Sequence, residues 1–241
     1  MAAALGAGVL ALIISVAVVL AGAPLLGQWS GRTQIATIQQ GALQRSYRVF
    51  RPPHVSRRPG LVLDLHSAHT NGFLEELATR LDAQAPARDW LVAYPDGIAD
   101  GWEPYGCCRH DGVDDLAFLG SLIDRLEQSD GVDPDRVYVT GLSRGGMMAY
   151  RVGCELSSRL AAIAPVAGNM ADDQGSVGAV PCHPDRPLSV LAIHGSADRE
   201  VPIAGGDRFA PFTDVISRWR QLDGCQASAA VVVAGRVTRS D

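Results

Sequence analysis

The stretch Arg136-Val137-Tyr138-Val139-Thr140-Gly141-Leu142-Ser143-Arg144-Gly145-Gly146-Met147-Met148-Ala149-Tyr150 decides the fold. Its first five residues read as a strand, and Ser143 opens a helix that runs to about Leu156. Between them, Gly141-Leu142-Ser143-Arg144-Gly145 has the G-x-S-x-G form of a nucleophile elbow, a sharp strand-to-helix turn that exposes the serine Oγ. Gly141 and Gly145 lack the Cβ atoms that would clash where backbones approach closely. Gly146 leaves room for helix–strand packing. Ser143 also sits at a helix N-terminus, where N–H groups point at developing negative charge. A tight turn with a helix-capping serine is the plain alternative, and the surrounding strand and helix weigh against it.

Outward from the elbow, strand and helix signals alternate. Tyr47-Arg48-Val49-Phe50 alternates in polarity and stops at Pro52-Pro53. Leu61 to Leu65 reads as a buried strand. Gly72 to Ala83 reads as an amphipathic helix with Phe73, Leu74, Leu77 and Leu81 on one face. Leu91 to Tyr94 is a strand closed by Pro95-Asp96-Gly97. Residues 113–128 form a helix with Leu116, Leu119, Leu122, Ile123 and Leu126 as its stripe. Ala161 to Val166 and Leu188 to Ile193 are strands, Pro211 to Leu222 is a helix, and Ala229 to Val233 is apolar again. Strands separated by helices of this length predict βαβ units: an α/β fold with a mostly parallel sheet and helices on both faces. Loops at the carboxyl ends of such strands build sites. Ser143, Asp198 and His66 all follow strands.

Composition narrows the class. The chain has 241 residues, 47% hydrophobic and 20% charged, with a net charge of −5. That suits one globular domain and disfavours nucleic-acid partners. Residues 2–26 carry no charge and are long enough to cross a bilayer, so 1–26 is expected to be a signal peptide or a membrane anchor. Residues 27–44 read as a polar linker and 45–241 as the folded domain, expected to be a monomer. The five cysteines, Cys107, Cys108, Cys154, Cys182 and Cys225, show no zinc-like spacing, and no metal site or cofactor is expected. In an exported chain they favour disulfides, with one thiol left over. The expected location is extracellular, or anchored and facing outside.

A serine hydroxyl needs a base to take its proton and donors for the oxyanion that forms. Ser143 is the candidate nucleophile. The Arg144 backbone N–H and the Ala68 N–H, from the loop His66-Ser67-Ala68-His69, are the candidate oxyanion donors. His66 is read as orienting this loop by hydrogen bonding and His69 as a rim residue. Asp198, in His194-Gly195-Ser196-Ala197-Asp198, is the candidate acid that would orient a histidine and stabilise its charged form. His194 is read as structural. Trp102 and Tyr105 are candidates for lining a substrate pocket. On this architecture a histidine should follow the acid; His54, His66, His69, His110, His183 and His194 all precede Asp198.

From about Tyr47 onward the chain resembles the secreted α/β-hydrolases of the polyhydroxybutyrate depolymerase and feruloyl esterase group. Besides the elbow and the Asp198 run, the resemblance rests on Leu63-Asp64-Leu65-His66, Tyr94-Pro95-Asp96-Gly97, Trp102 with Cys107-Cys108, Val113 to Leu119, and Asp133 to Arg151. It implies an α/β-hydrolase fold with Ser143 as nucleophile and Asp198 as triad acid. It implies a serine-dependent carboxylic ester hydrolase that forms an acyl-enzyme on polymer-derived esters, feruloyl-type or hydroxyalkanoate. It places a glycine after His66, where this chain has Ser67. It implies that Cys107 and Cys108 bond Cys154 and Cys182, with Cys225 partnered beyond the chain. It places the histidine in a Gly-Gly-His-Thr/Ser-Trp-Pro segment after one more strand. The sequence printed stops at Asp241, so the expectation is a domain without its last strand and histidine loop. An inactive fragment or a non-catalytic binding protein on the same fold is the competing reading; a serine peptidase is a third.

Overall fold

The computed structural model describes residues 32–105, 112–171, 182–206, 209–226, 230–234 and 237–240. The segment 2–26 and the Cys107-Cys108 pair lie outside them. No helix among the described residues is long and apolar enough to cross a membrane.

The strands are β1 (Arg32–Gln40), β2 (Leu43–Arg51), β3 (Gly60–Leu65), β4 (Trp90–Pro95), β5 (Val137–Leu142), β6 (Ala162–Val166), β7 (Ser189–Val190), β8 (Ala230–Ala234) and β9 (Val237–Ser240). The helices are α1 (Gly72–Thr79), α2 (Ala85–Arg88), α3 (Asp115–Asp130), α4 (Arg144–Glu155) and α5 (Phe212–Leu222). The first seven strands form one sheet in the order β1-β2-β4-β3-β5-β6-β7. Strands β4, β3, β5, β6 and β7 run parallel, and the β1–β2 hairpin joins antiparallel at one edge. This is the expected α/β-hydrolase architecture. β8 and β9 pair only with each other.

The period of two in the central strands sorts their side chains onto two faces. Leu61, Leu63 and Leu65 of β3, Leu91 and Ala93 of β4, and Val137 and Val139 of β5 face one core, shared with Phe118, Leu122, Met148, Tyr150, Val215 and Trp219 of α3, α4 and α5. Val62, Val92 and Tyr94 face the other, with Phe50, Ala85 and Leu81. β3 and β4 are buried on both sides, which is why the sequence reads there as continuous apolar runs rather than alternation, whereas β5 buries Val137, Val139 and Gly141 and leaves its alternate residues partly open.

The structure corrects the expected linker. Most of residues 27–44 that are described belong to β1 and the start of β2, whose register runs from Arg32 opposite Arg51 to Gln40 opposite Leu43. β1 is an edge strand with Ile38 as its one buried apolar residue, so it has no periodicity strong enough to read. Gly41 turns the hairpin at φ 56°. Arg45, at the expected domain start, is 1% exposed. Its guanidinium binds Asp115 at 2.7 Å and lies 4.2 Å from the Phe118 ring centre, tying the hairpin to α3.

The expected helix from Gly72 to Ala83 is shorter. It breaks at Arg80, which adopts φ 50°, and a separate turn covers Leu81–Ala83. Its orientation also differs from the one its stripe suggests. Phe73, Leu74 and Leu77 are exposed, and Glu75 is buried. The strand expected over Leu188–Ile193 is regular only at Ser189–Val190, with one further bridge from Ile193 to Val166.

Candidate active site

Ser143 sits between the last residue of β5 and the first of α4. Its φ of 54° and ψ of −114° are a conformation that non-glycine residues rarely adopt. Such backbone strain costs on the order of 1–3 kcal/mol and persists only when the surroundings enforce it. Here they do. The Ser143 N–H donates to the Val166 carbonyl at 2.9 Å, and the Ser143 carbonyl accepts from Met147 N–H at 2.9 Å. A Cβ on Gly141 would lie 2.6 Å from the Leu65 carbonyl oxygen, and one on Gly145 would overlap that same oxygen. The two glycines of the motif are therefore required by β3, not by the turn alone.

Ser143 opens onto a cavity of about 280 Å³ lined by Ser67, Ala68, Leu142, Ala167, Asp198, Glu200 and Val201. The structure thus brings Ser143, Ala68 and Asp198 together from three separate strand ends. Ala68 lies in the loop after β3, and its N–H has no acceptor among the described residues. Arg144 is the first residue of α4, where a backbone N–H has no intrahelical acceptor. The Arg144 side chain leads away to Gly101, where a Cβ would meet its guanidinium at 2.6 Å.

The loop that carries Ala68 is held by His66. The Gly97 N–H donates to His66 Nε2 at 2.9 Å, which puts the ring proton on Nδ1, 2.8 Å from the Ser67 carbonyl. Burial pushes the His66 pKa down and keeps the ring neutral. His66 is therefore engaged at both nitrogens and braces the loop. His69 is exposed, with φ 61°, and its N–H donates to Asp100 at 2.7 Å.

Asp198 follows β7 and closes a tight turn on itself. Its Oδ1 accepts from the Glu200 and Val201 N–H groups at 2.9 and 3.0 Å. Its Oδ2 lies 3.6 Å from His194 Nε2, beyond hydrogen-bond reach. His194 instead directs Nε2 to the Val201 carbonyl at 2.8 Å, with its ring packed 5.0 Å from that of Phe212. Its side chain is fully buried and is not part of the cavity wall. No histidine lines the cavity among the described residues.

Two expected pocket residues are corrected. Trp102 is 2% exposed and donates its indole N–H to the His66 carbonyl at 3.0 Å. Tyr105 is 6% exposed, and its hydroxyl lies 2.8 Å from the Asn169 carbonyl and 3.2 Å from that of Met147. Both are packing residues with satisfied polar ends. The walls that sequence reading missed are Leu142, Ala167, Glu200 and Val201. Ala167 follows β6 and adopts φ 47°, so a position after a strand end was its only signal.

The cysteine pairing implied by the resemblance is also corrected. Cys154 of α4 is bonded to Cys182, with Cα atoms 4.8 Å apart, rather than each to a member of the Cys107-Cys108 pair. Cys225 is exposed and free.

Residues 110–225 match a family described as Phospholipase/Carboxylesterase. Among curated proteins, the chain is 35% identical over 168 residues to the "Putative esterase NocK" of Nocardia uniformis, covering 67% of this chain and 47% of that protein. It is 30% identical over 148 residues to Feruloyl esterase B of Piromyces equi, covering 56% of this chain and 27% of that one. The chain therefore spans less than half the length of these relatives. Among solved structures, an acetyl xylan esterase from Aspergillus awamori superposes with a TM-score of 0.63 at 13% identity, covering 85% of this chain and 90% of that one. That likeness shows the fold alone.

Proposed function

We propose that this chain, an α/β-hydrolase of the esterase type, hydrolyses carboxylic esters through Ser143. The observation that carries the reading is the forced backbone of Ser143 at the mouth of a cavity that also holds Ala68 and Asp198. Ser143 Oγ attacks the ester carbonyl and forms an acyl-enzyme. The Arg144 and Ala68 N–H groups receive the oxyanion, and water then releases the acid. Asp198 orients and stabilises a histidine base; none of the histidines described at the site is placed for that role. Polymer-derived esters, feruloyl-type or hydroxyalkanoate, are the proposed substrate class. The relatives named for feruloyl and acetylxylan esters support it, as does the partly apolar wall of Leu142, Ala167 and Val201. Export is supported by the uncharged residues 2–26 and by the Cys154–Cys182 disulfide.

One second reading is a non-catalytic ester-binding protein on the same fold, since no histidine lines the cavity among the described residues. The two separate on a single series: p-nitrophenyl acetate and methyl ferulate assayed with the protein as its gene encodes it, through any codons after Asp241. Turnover that Ser143→Ala lowers by at least about 10³-fold supports the hydrolase. Binding of methyl ferulate without turnover supports the binding protein.

A further inference from the structure

The Ala68 N–H, offered above as an oxyanion donor, belongs to the same peptide unit as the Ser67 carbonyl. That carbonyl accepts from two side chains. His66 Nδ1 lies 2.8 Å from it and the Thr70 hydroxyl 2.9 Å. The partners assign both protons. The Gly97 N–H can only donate, so His66 Nε2, at 2.9 Å, accepts and the ring proton sits on Nδ1. A carbonyl oxygen can only accept, so the Thr70 hydroxyl gives its single proton to Ser67. The Ser67 hydroxyl, 3.3 Å from Thr70 Oγ1, is then the donor of that longer contact. Both lone pairs of the Ser67 carbonyl are filled.

We propose that His66 and Thr70 together polarise the Ser67–Ala68 peptide and fix its plane, which makes the Ala68 N–H a stronger donor, already aimed, for the oxyanion. Thr70 is then a positioning residue for the hydrolysis proposed above, on which this inference rests. An amide is one conjugated unit. Hydrogen bonds to its oxygen draw electron density from its nitrogen and leave the N–H more positive, and bonds linked in this way strengthen one another. The donor end stands at the site. Ala68 lines the Ser143 cavity, and its N–H has no acceptor among the described residues.

The loop is pinned on either side of this peptide. The Trp102 indole N–H donates to the His66 carbonyl at 3.0 Å, and the His69 N–H donates to the Asp100 carbonyl at 2.7 Å. His66 itself is fully buried. Thr70 directly precedes Asn71, whose side chain caps α1 by accepting the Leu74 N–H at 3.1 Å. With fixed points before and after Ala68, the peptide does not have to turn when charge develops. That is the condition under which an oxyanion donor acts without a reorganisation cost.

The test labels the full chain with carbonyl-¹³C serine and ¹⁵N-alanine, which singles out the Ser–Ala peptides 67–68, 196–197 and 228–229. Thr70→Val replaces the hydroxyl by a methyl group of similar size, and Thr70→Ser keeps it. Loss of a hydrogen bond on the carbonyl moves the Ser67 ¹³C and Ala68 ¹⁵N resonances upfield in Thr70→Val, while Thr70→Ser stays at the wild-type positions. The kinetic arm uses p-nitrophenyl acetate and the protein as its gene encodes it. Removing an oxyanion donor outright costs about 10²–10³-fold in kcat, so weakening one lowers kcat about 10-fold in Thr70→Val. KM is nearly unchanged, and Thr70→Ser recovers most of the loss. Ser67 and Ala68 resonances that coincide in wild type and Thr70→Val overturn the proposal. So does a Thr70→Val defect in KM alone, or one that Thr70→Ser does not relieve. Upfield shifts as stated with no ester turnover in the wild type leave the polarised peptide standing and remove the hydrolase reading. Turnover abolished by Ser143→Ala beside unmoved resonances does the reverse.

Discussion

Helices α1 and α4 each follow a sheet strand and each carry a set of apolar side chains, yet they bury opposite things. α4 buries Gly145 to Tyr150 and Val152 to Cys154, almost its whole circumference. It lies across the middle of the sheet, against β3, β5 and β6. α1 turns Phe73, Leu74 and Leu77 outward and puts Glu75 inside. Its direction is set by fixed points at its ends rather than by its apolar stripe. Asn71 caps it, Gly72 sits against the Tyr94 carbonyl where no Cβ would fit, and Glu76 is held by Arg48 and Thr33 of the hairpin. An amphipathic pattern predicts that a helix forms. Which face it buries depends on what its ends are tied to.

The sharpest way to break this contrast is at the start of α4. Gly145→Ala places a methyl group into the Leu65 carbonyl, a backbone atom that cannot rotate away. The expected cost exceeds about 4 kcal/mol, a large share of a domain's 5–15 kcal/mol. Loss of soluble protein or a collapse in Tm checks it; a Tm within a few degrees of wild type would show that β3 and α4 can separate. Met148→Ala, at a fully buried position of the same helix, should cost about 2–5 kcal/mol, read by chemical denaturation.

The contrast also marks what was legible in the sequence. The elbow was readable because its glycines encode a steric demand, and a steric demand leaves a residue signature. Asp198 was readable because it follows a strand in a recognisable run. The β1 hairpin was not, since an edge strand exposed on both faces gives no alternation to detect. Trp102 and Tyr105 were misplaced because an aromatic in a loop near a site carries no mark of whether its ring faces the cavity or the core. Asp64 stood in plain view inside Leu61-Val62-Leu63-Asp64-Leu65. Glu75 looked like the polar face of α1, and its burial appears only when the helix is seen turned inside out.

That inversion has a signature in stability. A carboxyl whose folded pKa lies above its unfolded value binds more protons folded than unfolded. Its contribution is complete below the unfolded pKa and is lost as pH rises through the folded one. For Asp64 and Glu75 the window runs from their ordinary values of 3.8 and 4.5 up to about 6 and about 7. Raising the pH from 5 to 8 should therefore cost about 2 kcal/mol, and Glu75→Gln should flatten most of that slope and be the more stable protein at pH 8. Thermal melts across this range check it; equal slopes in wild type and Glu75→Gln would mean that α1 does not bury Glu75 in solution.

The smallest effect tests the outer face of the same helix. Leu77 is 57% exposed, so truncating it removes little buried area and leaves no cavity. Leu77→Ser should change stability by no more than about 0.5 kcal/mol, in contrast to the several kcal/mol expected at Met148, although both are apolar residues in helices of one sheet. The result that would break the comparison is a Leu77→Ser loss comparable to that of Met148→Ala. Leu77 would then be covered in the folded protein, and α1 would have to roll until its stripe faced the sheet. Glu75 would swing toward solvent, and the pH slope assigned to its burial would vanish in the same protein.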